Sequence, residues 1–430
     1  MNAKQTMRYF VPSQTGAGRL ARAGQAITRA ALLLALLCPL ATQAVGYRLP
    51  NQDPDAIARG NAFVATADNP SAIYYNPAGI TQLDGQQARA GLYLVSGGYT
   101  YDAPNGKEYK ADSAYQPVPQ LYYVISPKEL PLSFGLGVYA PYGLSLDWGR
   151  NTSFNTIAEK GKLEYISINP VVAWKALPTL SFAIGPTINY SKAKFERAIG
   201  LLPSPPFPAE GGHFSVEGDG WGYGLNAGVR WQPSETLAFG INYRLATDVD
   251  YDGSSSTTPS PPLPASVSTT ASIHFPQFIV GGISYRPSDN WNLEFNLDWT
   301  DWDSVNSIPI NHTAFGNTAL ALNYHSSFMY EFGATRQLGR GYFASIGYFY
   351  SENSSPDKYF NPIIPDTDLH LGSLGGGYRG TRWGWSAAWH FGYNPGRTVE
   401  GSPVSMTGQT ADGRYHVFNN GFNVAVTLKF

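Results

Sequence analysis

The sequence predicts an all-β membrane protein: a 14-stranded antiparallel outer-membrane β-barrel with an N-terminal plug, or hatch, inside the lumen. Three observations carry this reading. Charged residues make up only 14% of the 430-residue chain, and aromatics another 14%, against about 25% charge in a typical soluble domain. No apolar run of about 18 residues follows position 45, so no membrane helix is available, yet so little charge suits a surface that faces lipid. From about residue 86, apolar residues recur with period two, in runs joined alternately by tight turns and long segments.

The N-terminus comes first. Lys4, Arg8, Arg19, Arg22 and Arg29 precede the apolar run 30–37, and Thr42-Gln43-Ala44 offers a cleavage site. Residues 1–44 are therefore expected to be a secretory signal peptide. The only cysteine, Cys38, lies inside it behind the bulky Leu37, which argues against lipidation. Downstream there is no thiol for a disulfide or a thiolate metal site. Removing five cations from a chain of net charge −2 leaves a more acidic remainder, which argues against nucleic acid as a partner.

Residues 45–85 show no strand-like alternation. Asp53-Pro54 opens a helical turn that Gly60 can end, and 62–67 is small and mostly apolar. Then come two Asn-Pro pairs seven residues apart, Asn69-Pro70 and Asn76-Pro77. Asn is a favoured helix N-cap and Pro fits the first helical position. Each pair thus starts a short turn, and the second interrupts the first. Such a knot is too short to fold alone. It reads as a plug within a barrel formed by residues 86–430.

Strands are expected at 86–101, 114–126, 132–141, 164–176, 180–196, 213–231, 237–251, 271–286, 291–302, 322–337, 342–352, 368–379, 382–393 and 416–430. The clearest sets Trp291, Leu293, Phe295, Leu297 and Trp299 against Asn292, Glu294, Asn296, Asp298 and Thr300. A sandwich would bury such a Trp-rich face, whereas a barrel wall turns it to lipid. Tight turns fall at 127–131, 177–179, 232–236, 287–290, 338–341 and 380–381. Long loops are expected at 142–163, 197–212, 252–270, 303–321, 353–367 and 394–415. Short turns on one side, long loops on the other and an even strand count form the outer-membrane pattern. The terminal Phe430, with apolar residues at alternate positions before it, resembles the signal read by the barrel-assembly machinery.

Little in the chain suggests catalysis. The seven histidines are scattered without metal-ligand spacing. The glycine-rich run 372–377 lies in a strand pattern and opens no helix, so it is no phosphate loop. No nucleophile motif supports a hydrolase. The chain is read as a non-enzyme without a cofactor. An open porin would want rings of charge, but the polar faces carry mainly Asn, Ser, Thr and Gly. A structural or adhesive barrel is the alternative of another class.

Several segments resemble one family. Gly60-Asn61-Ala62-Phe63 and the run from Ala67 through Asn76-Pro77-Ala78 to Ile80 are similar to the plug of FadL/TodX-type outer-membrane transporters of long-chain fatty acids and hydrocarbons. Phe134-Gly135-Leu136-Gly137-Val138-Tyr139-Ala140-Pro141 resembles their third strand, and Ile168-Asn169-Pro170 and Trp299-Thr300-Asp301-Trp302 match later ones. The resemblance implies a monomeric barrel among outer-membrane lipids. A hydrophobic ligand would be caught at the extracellular loops, passed to an internal pocket and released sideways through a kinked wall strand.

Candidate residues follow. Gly135 and Gly137 weaken the third strand and Pro141 cannot donate to the ladder, although the small residues could equally make room for the plug. Asn76, Pro77 and Ala78 complete the expected gate. The segment Ala193-Lys194-Phe195-Glu196-Arg197 matches one whose final arginine contacts a carboxylate in the family, so Arg197 is the expected anion anchor, with Phe195 beside it. Leu201, Leu202 and Phe207 form a stiff apolar stretch, either a rim or a landing site. Ile73, Tyr74 and Tyr75 are expected to line the pocket. Near 322–330 the chain has only His325 where some family members carry a second cation. That departure favours a neutral ligand, such as an aromatic hydrocarbon or alkane.

Overall fold

A computed structural model describes residues 46–112, 114–199, 212–258, 265–313 and 316–430. The expected signal peptide and Leu201, Leu202 and Phe207 lie outside the described residues. Fourteen wall strands follow one another antiparallel. They are β1 (Gly85–Asp102), β2 (Gln116–Ser126), β3 (Leu132–Tyr139, resuming at Gly143–Asp147), β4 (Lys160–Leu177) and β5 (Leu180–Ile199). Next are β6 (Gly212–Trp231), β7 (Leu237–Arg244 and Thr247–Thr258), β8 (Ser266–Phe275 and Phe278–Ser288), β9 (Trp291–Thr300 and Ser307–His312) and β10 (Gly316–Ala321 and Ser327–Gly339). The last four are β11 (Tyr342–Ser351), β12 (Leu369–Arg379), β13 (Trp383–Tyr393) and β14 (Gly413–Lys429). β1 pairs with β14 from Gln87↔Lys429 to Asp102↔Arg414. The sheet is closed, so every strand has two neighbours and no edge is left to aggregate.

Alternation assigns the two faces. Along β9, Trp291, Leu293 and Leu297 are exposed outward, while Glu294, Asn296, Asp298 and Thr300 are buried. Outward aromatics gather near the tight turns (Trp174, Trp231, Trp291, Trp383) and again toward the loop ends (Trp221, Tyr223, Tyr393, Phe418). These are the two girdles that a membrane-spanning barrel presents to the interfaces.

Four segments read as loops carry strand instead, one of them 394–415, where Arg397–Val399 pairs with the start of β14. Within 142–163, β3 resumes at Gly143–Asp147 and β4 already begins at Lys160. Within 252–270, β7 runs to Thr258 and β8 starts at Ser266. Within 303–321, Ser307–His312 pairs with Gly316–Ala321 as a hairpin that extends β9 and β10 past a break. The sequence hides these extensions because Gly, Ser, Thr and Asp break the apolar alternation while the ladder continues.

Inside the wall lies the N-terminal segment. Its helices are α1 (Pro54–Ile57) and α2 (Ala72–Tyr75), followed by a 3-10 helix (Pro77–Gln82). Asp53 caps α1 by accepting from the Asp55 N–H. Asn69 Oδ1 accepts from the Ser71 N–H at 2.8 Å, and Asn76 Oδ1 accepts from the Ala78 N–H at 3.2 Å. Each Asn-Pro pair thus caps a turn, and the second stops α2 after four residues. Residues 46–67 and 69–80 are all buried. The segment bonds to side chains on opposite sides of the wall: Arg89 of β1, Asn226 of β6, Asn242 of β7, Glu294 of β9 and Ser373 of β12. Glycines let the wall come this close. A Cβ on Gly347 would sit 1.9 Å from the Gly60 nitrogen, and one on Gly228 only 2.3 Å from Asn76 Oδ1.

Candidate functional site

The break in β3 is the first component. Leu132–Tyr139 pairs without interruption with β4, Leu132↔Trp174 through Tyr139↔Ser167. Pairing with β2 stops at Leu121↔Val138, and the resumed Gly143–Asp147 pairs with β4. Residues 141–144 are all buried, so this strand has bent inward. The discontinuity therefore lies at Ala140-Pro141-Tyr142, where Pro141 has no N–H to give. Gly135 and Gly137 do not interrupt the strand. A Cβ on Gly135 would meet Ile73 Cδ1 at 2.8 Å, and one on Gly137 would meet Ile73 Cγ2 at 2.9 Å. Their smallness seats the N-terminal segment.

That segment takes up the hydrogen bonds the broken strand leaves open. The Leu49 N–H donates to the Pro141 carbonyl at 2.8 Å, and the Gly143 N–H donates to the Tyr47 carbonyl at 2.9 Å. Between these bonds, Arg48 and Tyr142 face each other as an antiparallel bridge. The Gln52 amide donates to the Ala140 carbonyl at 2.7 Å and its oxygen accepts the Ala140 N–H at 3.3 Å. Residues 47–52 act as a surrogate strand across the break. A buried backbone group left unpaired costs about 1–3 kcal/mol, and this patch satisfies the groups that the break leaves open.

Buried ion pairs hold the segment in register. Arg48 makes a two-pronged contact with Asp298, both bonds 2.7 Å, and also reaches Thr300. Glu294 accepts from Arg59 at 3.0 Å and from the Ala65 N–H at 2.8 Å, and it also bonds the Thr66 hydroxyl. Arg89 bridges Asp53 and Asp55, and Arg379 bridges Asp55 and Asp68. Burial alone would raise the Asp55 and Asp68 carboxyls. The opposing arginines prevail and hold both below the usual carboxylate range.

The second component is an apolar cavity of about 160 Å³ on the loop side of the break. Tyr47 and Leu144, which belong to the surrogate strand and to the resumed β3, form the side nearest the break. Leu163, Phe195, Ile273 and Ile364 are among its other walls. Ala193, Gly218 and Gly253 are cross-strand neighbours on β5, β6 and β7, and their small size hollows the wall there. Lys162 and Lys194 also border the cavity. Alternation turns their side chains outward, where they pair with Glu164 and Glu196.

Of the residues expected to bind ligand, Phe195 lines this cavity. Arg197 lies one inward position further toward the loops. Its guanidinium stands 5.3 Å from the Phe214 ring and donates to the Thr156 carbonyl at 3.3 Å. Glu196, its neighbour, pairs with Lys194 instead. Ile73, Tyr74 and Tyr75 do not line the cavity. Ile73 fills the space over Gly135 and Gly137. Tyr74 packs edge-on against Tyr139 at 5.2 Å, and the Tyr75 hydroxyl donates to the Pro50 carbonyl at 2.9 Å. Tyr74 and Tyr75 border only a small void of about 20 Å³. Asn76 donates to the Val64 and Val229 carbonyls, tying the knot to β6.

Sequence reasoning missed Gln52, Tyr47, Leu144, Ile308, Ile310, Ile363 and Ile364. Ile308 and Ile310 alternate as strand residues should, a usable signal within a stretch read as loop. For the others no local signal exists, because what gives them a role is a distant contact, as with Gln52 and Ala140, 88 residues apart.

The sequence matches, over residues 35–402, the family described as outer membrane protein transport protein (OMPP1/FadL/TodX). The chain belongs to that family. It is accordingly a bacterial outer-membrane transport barrel. It is 22% identical over 455 residues to the long-chain fatty acid transport protein of Escherichia coli (strain K12), covering 93% of this chain and 98% of that one. Its fold is similar to the crystal structure of a Pseudomonas aeruginosa FadL homologue (TM-score 0.80, 19% identity, 90% of this chain and 100% of that one). It is also similar to the Pseudomonas putida toluene transporter TodX (TM-score 0.73, 18% identity, 90% and 100%). In this orientation the tight turns are periplasmic and the cavity lies toward the extracellular side.

Proposed function

We propose that this family member carries uncharged hydrophobic small molecules from outside the cell into the outer membrane. The ligand enters between the extracellular loops, rests in the apolar cavity and leaves sideways where β3 parts from β2. The observation that carries the reading is that Tyr47 and Leu144 belong both to the cavity wall and to the strands at the break. A ligand in the cavity is thus one side chain from the exit. Lateral release suits the chemistry, since each methylene gains roughly 0.8 kcal/mol on leaving water and no aqueous lumen has to be crossed.

The named relatives handle fatty acids or toluene. The cavity favours the second kind of ligand, because the cations at its edge have their side chains outside and paired. Its volume is close to that of the roughly 150 Å³ apolar cavity known to hold benzene. A fatty acid would place only part of its chain here, with Arg197 above Phe195 for its carboxylate. In this reading residues 47–80 form the hatch and do no chemistry.

The test is to fill the cavity. In proteoliposomes, Ala193→Trp is expected to reduce toluene uptake to that of protein-free vesicles while the barrel stays folded. Uptake at the unmodified rate would contradict the reading.

A further inference from the structure

Most of the cavity lining is apolar, and Lys162, Lys194 and Glu217 among its residues turn their side chains outward by alternation. Thr269 on β8 faces the cavity, and behind Thr269 stand Ser255 of β7 and His312 of β9. The register brings them together: Gly253↔Thr269 and Thr269↔His312 are direct cross-strand pairs, and Ser255 lies one inward position beyond Gly253. All three are buried, Ser255 completely. Thr269 Oγ1 donates to Ser255 Oγ at 2.8 Å, and Ser255 Oγ is 3.0 Å from His312 Nδ1. Thr269 Oγ1 also lies 3.2 Å from that nitrogen.

What Thr269 can offer a ligand follows from counting protons. A hydroxyl has one proton and two acceptor positions. Thr269 gives its proton to Ser255 Oγ, or to the Val267 carbonyl at 3.3 Å. Thr269 is left with acceptor capacity and no proton to offer. Thr269 is the hydroxyl-bearing residue that β8 contributes to the cavity lining.

From this, and resting on the transport reading above, we infer that the cavity selects hydroxylated ligands: an apolar body of about one ring carrying one O–H, which donates to Thr269 Oγ1. Phenols and short alkanols fit. A carboxylate does not, since it brings only acceptors to an acceptor. A plain hydrocarbon of the same size still fills the cavity but forgoes the bond.

The experiment compares para-cresol with toluene, which differ by the hydroxyl, binding to the purified barrel in detergent by isothermal titration. Ala193→Trp serves to subtract uptake by the micelle. The unmodified barrel is expected to prefer para-cresol by roughly fivefold after correction for their different transfer from water, the worth of one net hydrogen bond. Thr269→Val is expected to bring the corrected ratio to about one, and Thr269→Ser, which keeps the hydroxyl, to retain the preference. A ratio of one in the unmodified barrel, or a preference that survives Thr269→Val, overturns the inference. Binding of neither ligand would overturn the cavity reading itself, whereas equal binding of both would leave that reading standing.

Discussion

The side chain of Gln52 hydrogen-bonds both backbone groups of Ala140, donating to the carbonyl at 2.7 Å and accepting from the N–H at 3.3 Å. An amide side chain here does what a neighbouring strand would do, at the residue where β3 turns inward. Gln52→Leu keeps the bulk and removes both bonds. It is expected to weaken closure by about 1–3 kcal/mol. Hydrogen exchange at residues 139–143 should then be faster than in the unmodified protein, with exchange in β12 and β13 unchanged.

Ile73 and Gly135 form a second coupled pair. Replacing Gly135 by Ala sets a methyl 2.8 Å from Ile73 Cδ1 and from Val171 Cγ2. Overpacking of this kind costs about 1–3 kcal/mol. Gly135→Ala should lower the melting temperature, and adding Ile73→Ala should recover part of the loss. Independent, additive effects would show that Gly135 is small for another reason.

Acid should loosen the hatch through Asp55 and Asp68, against an opposing contribution from Asp53, whose carboxyl burial pushes up. Asp55 and Asp68 are held below their ordinary range by Arg89 and Arg379. A released segment would have its carboxyls near 3.9. Anchoring from these groups is therefore complete above about pH 4 and is lost as pH falls through their lower bound-state values. In planar bilayers the barrel should stay closed to ions from pH 7 to 5 and begin to conduct only below about pH 4. Asp55→Asn should conduct already at neutral pH.

Arg197 offers a test that separates ligand charge from ligand bulk. It stands above Phe195 and outside the cavity lining. Arg197→Ala is expected to weaken binding of a carboxylated lipid several-fold more than binding of a neutral hydrocarbon. Equal losses for both would remove its role as an anion anchor.

Much of the wall was legible because alternation is a local property. The β9 run from Trp291 to Thr300 declares its two faces in ten residues. What its polar face does was not legible: Glu294, Asn296 and Asp298 bind Arg59, the Asn61 carbonyl and Arg48, more than 230 residues earlier. The Asn-Pro caps could be read because an N-cap is decided within three residues. The cavity could not, since its walls come from eight strands, a loop and the N-terminal segment, and inward residues look alike in sequence whether they face a plug or a void. Gly135 and Gly137 illustrate the limit. Glycine in a strand marks either weakness or close approach, and only the position of Ile73 decides between them.

The central claim is that passage requires residues 47–52 to let go of the β3 break. No cysteine follows Cys38 in the sequence, so a Gln52→Cys, Ala140→Cys barrel can be joined by a short thiol-specific cross-linker without competing sites. Toluene uptake into proteoliposomes should fall to background after cross-linking, while binding in the cavity persists. It should recover when a cleavable linker is cut. Uptake by the cross-linked barrel at the rate of the open one would contradict the account.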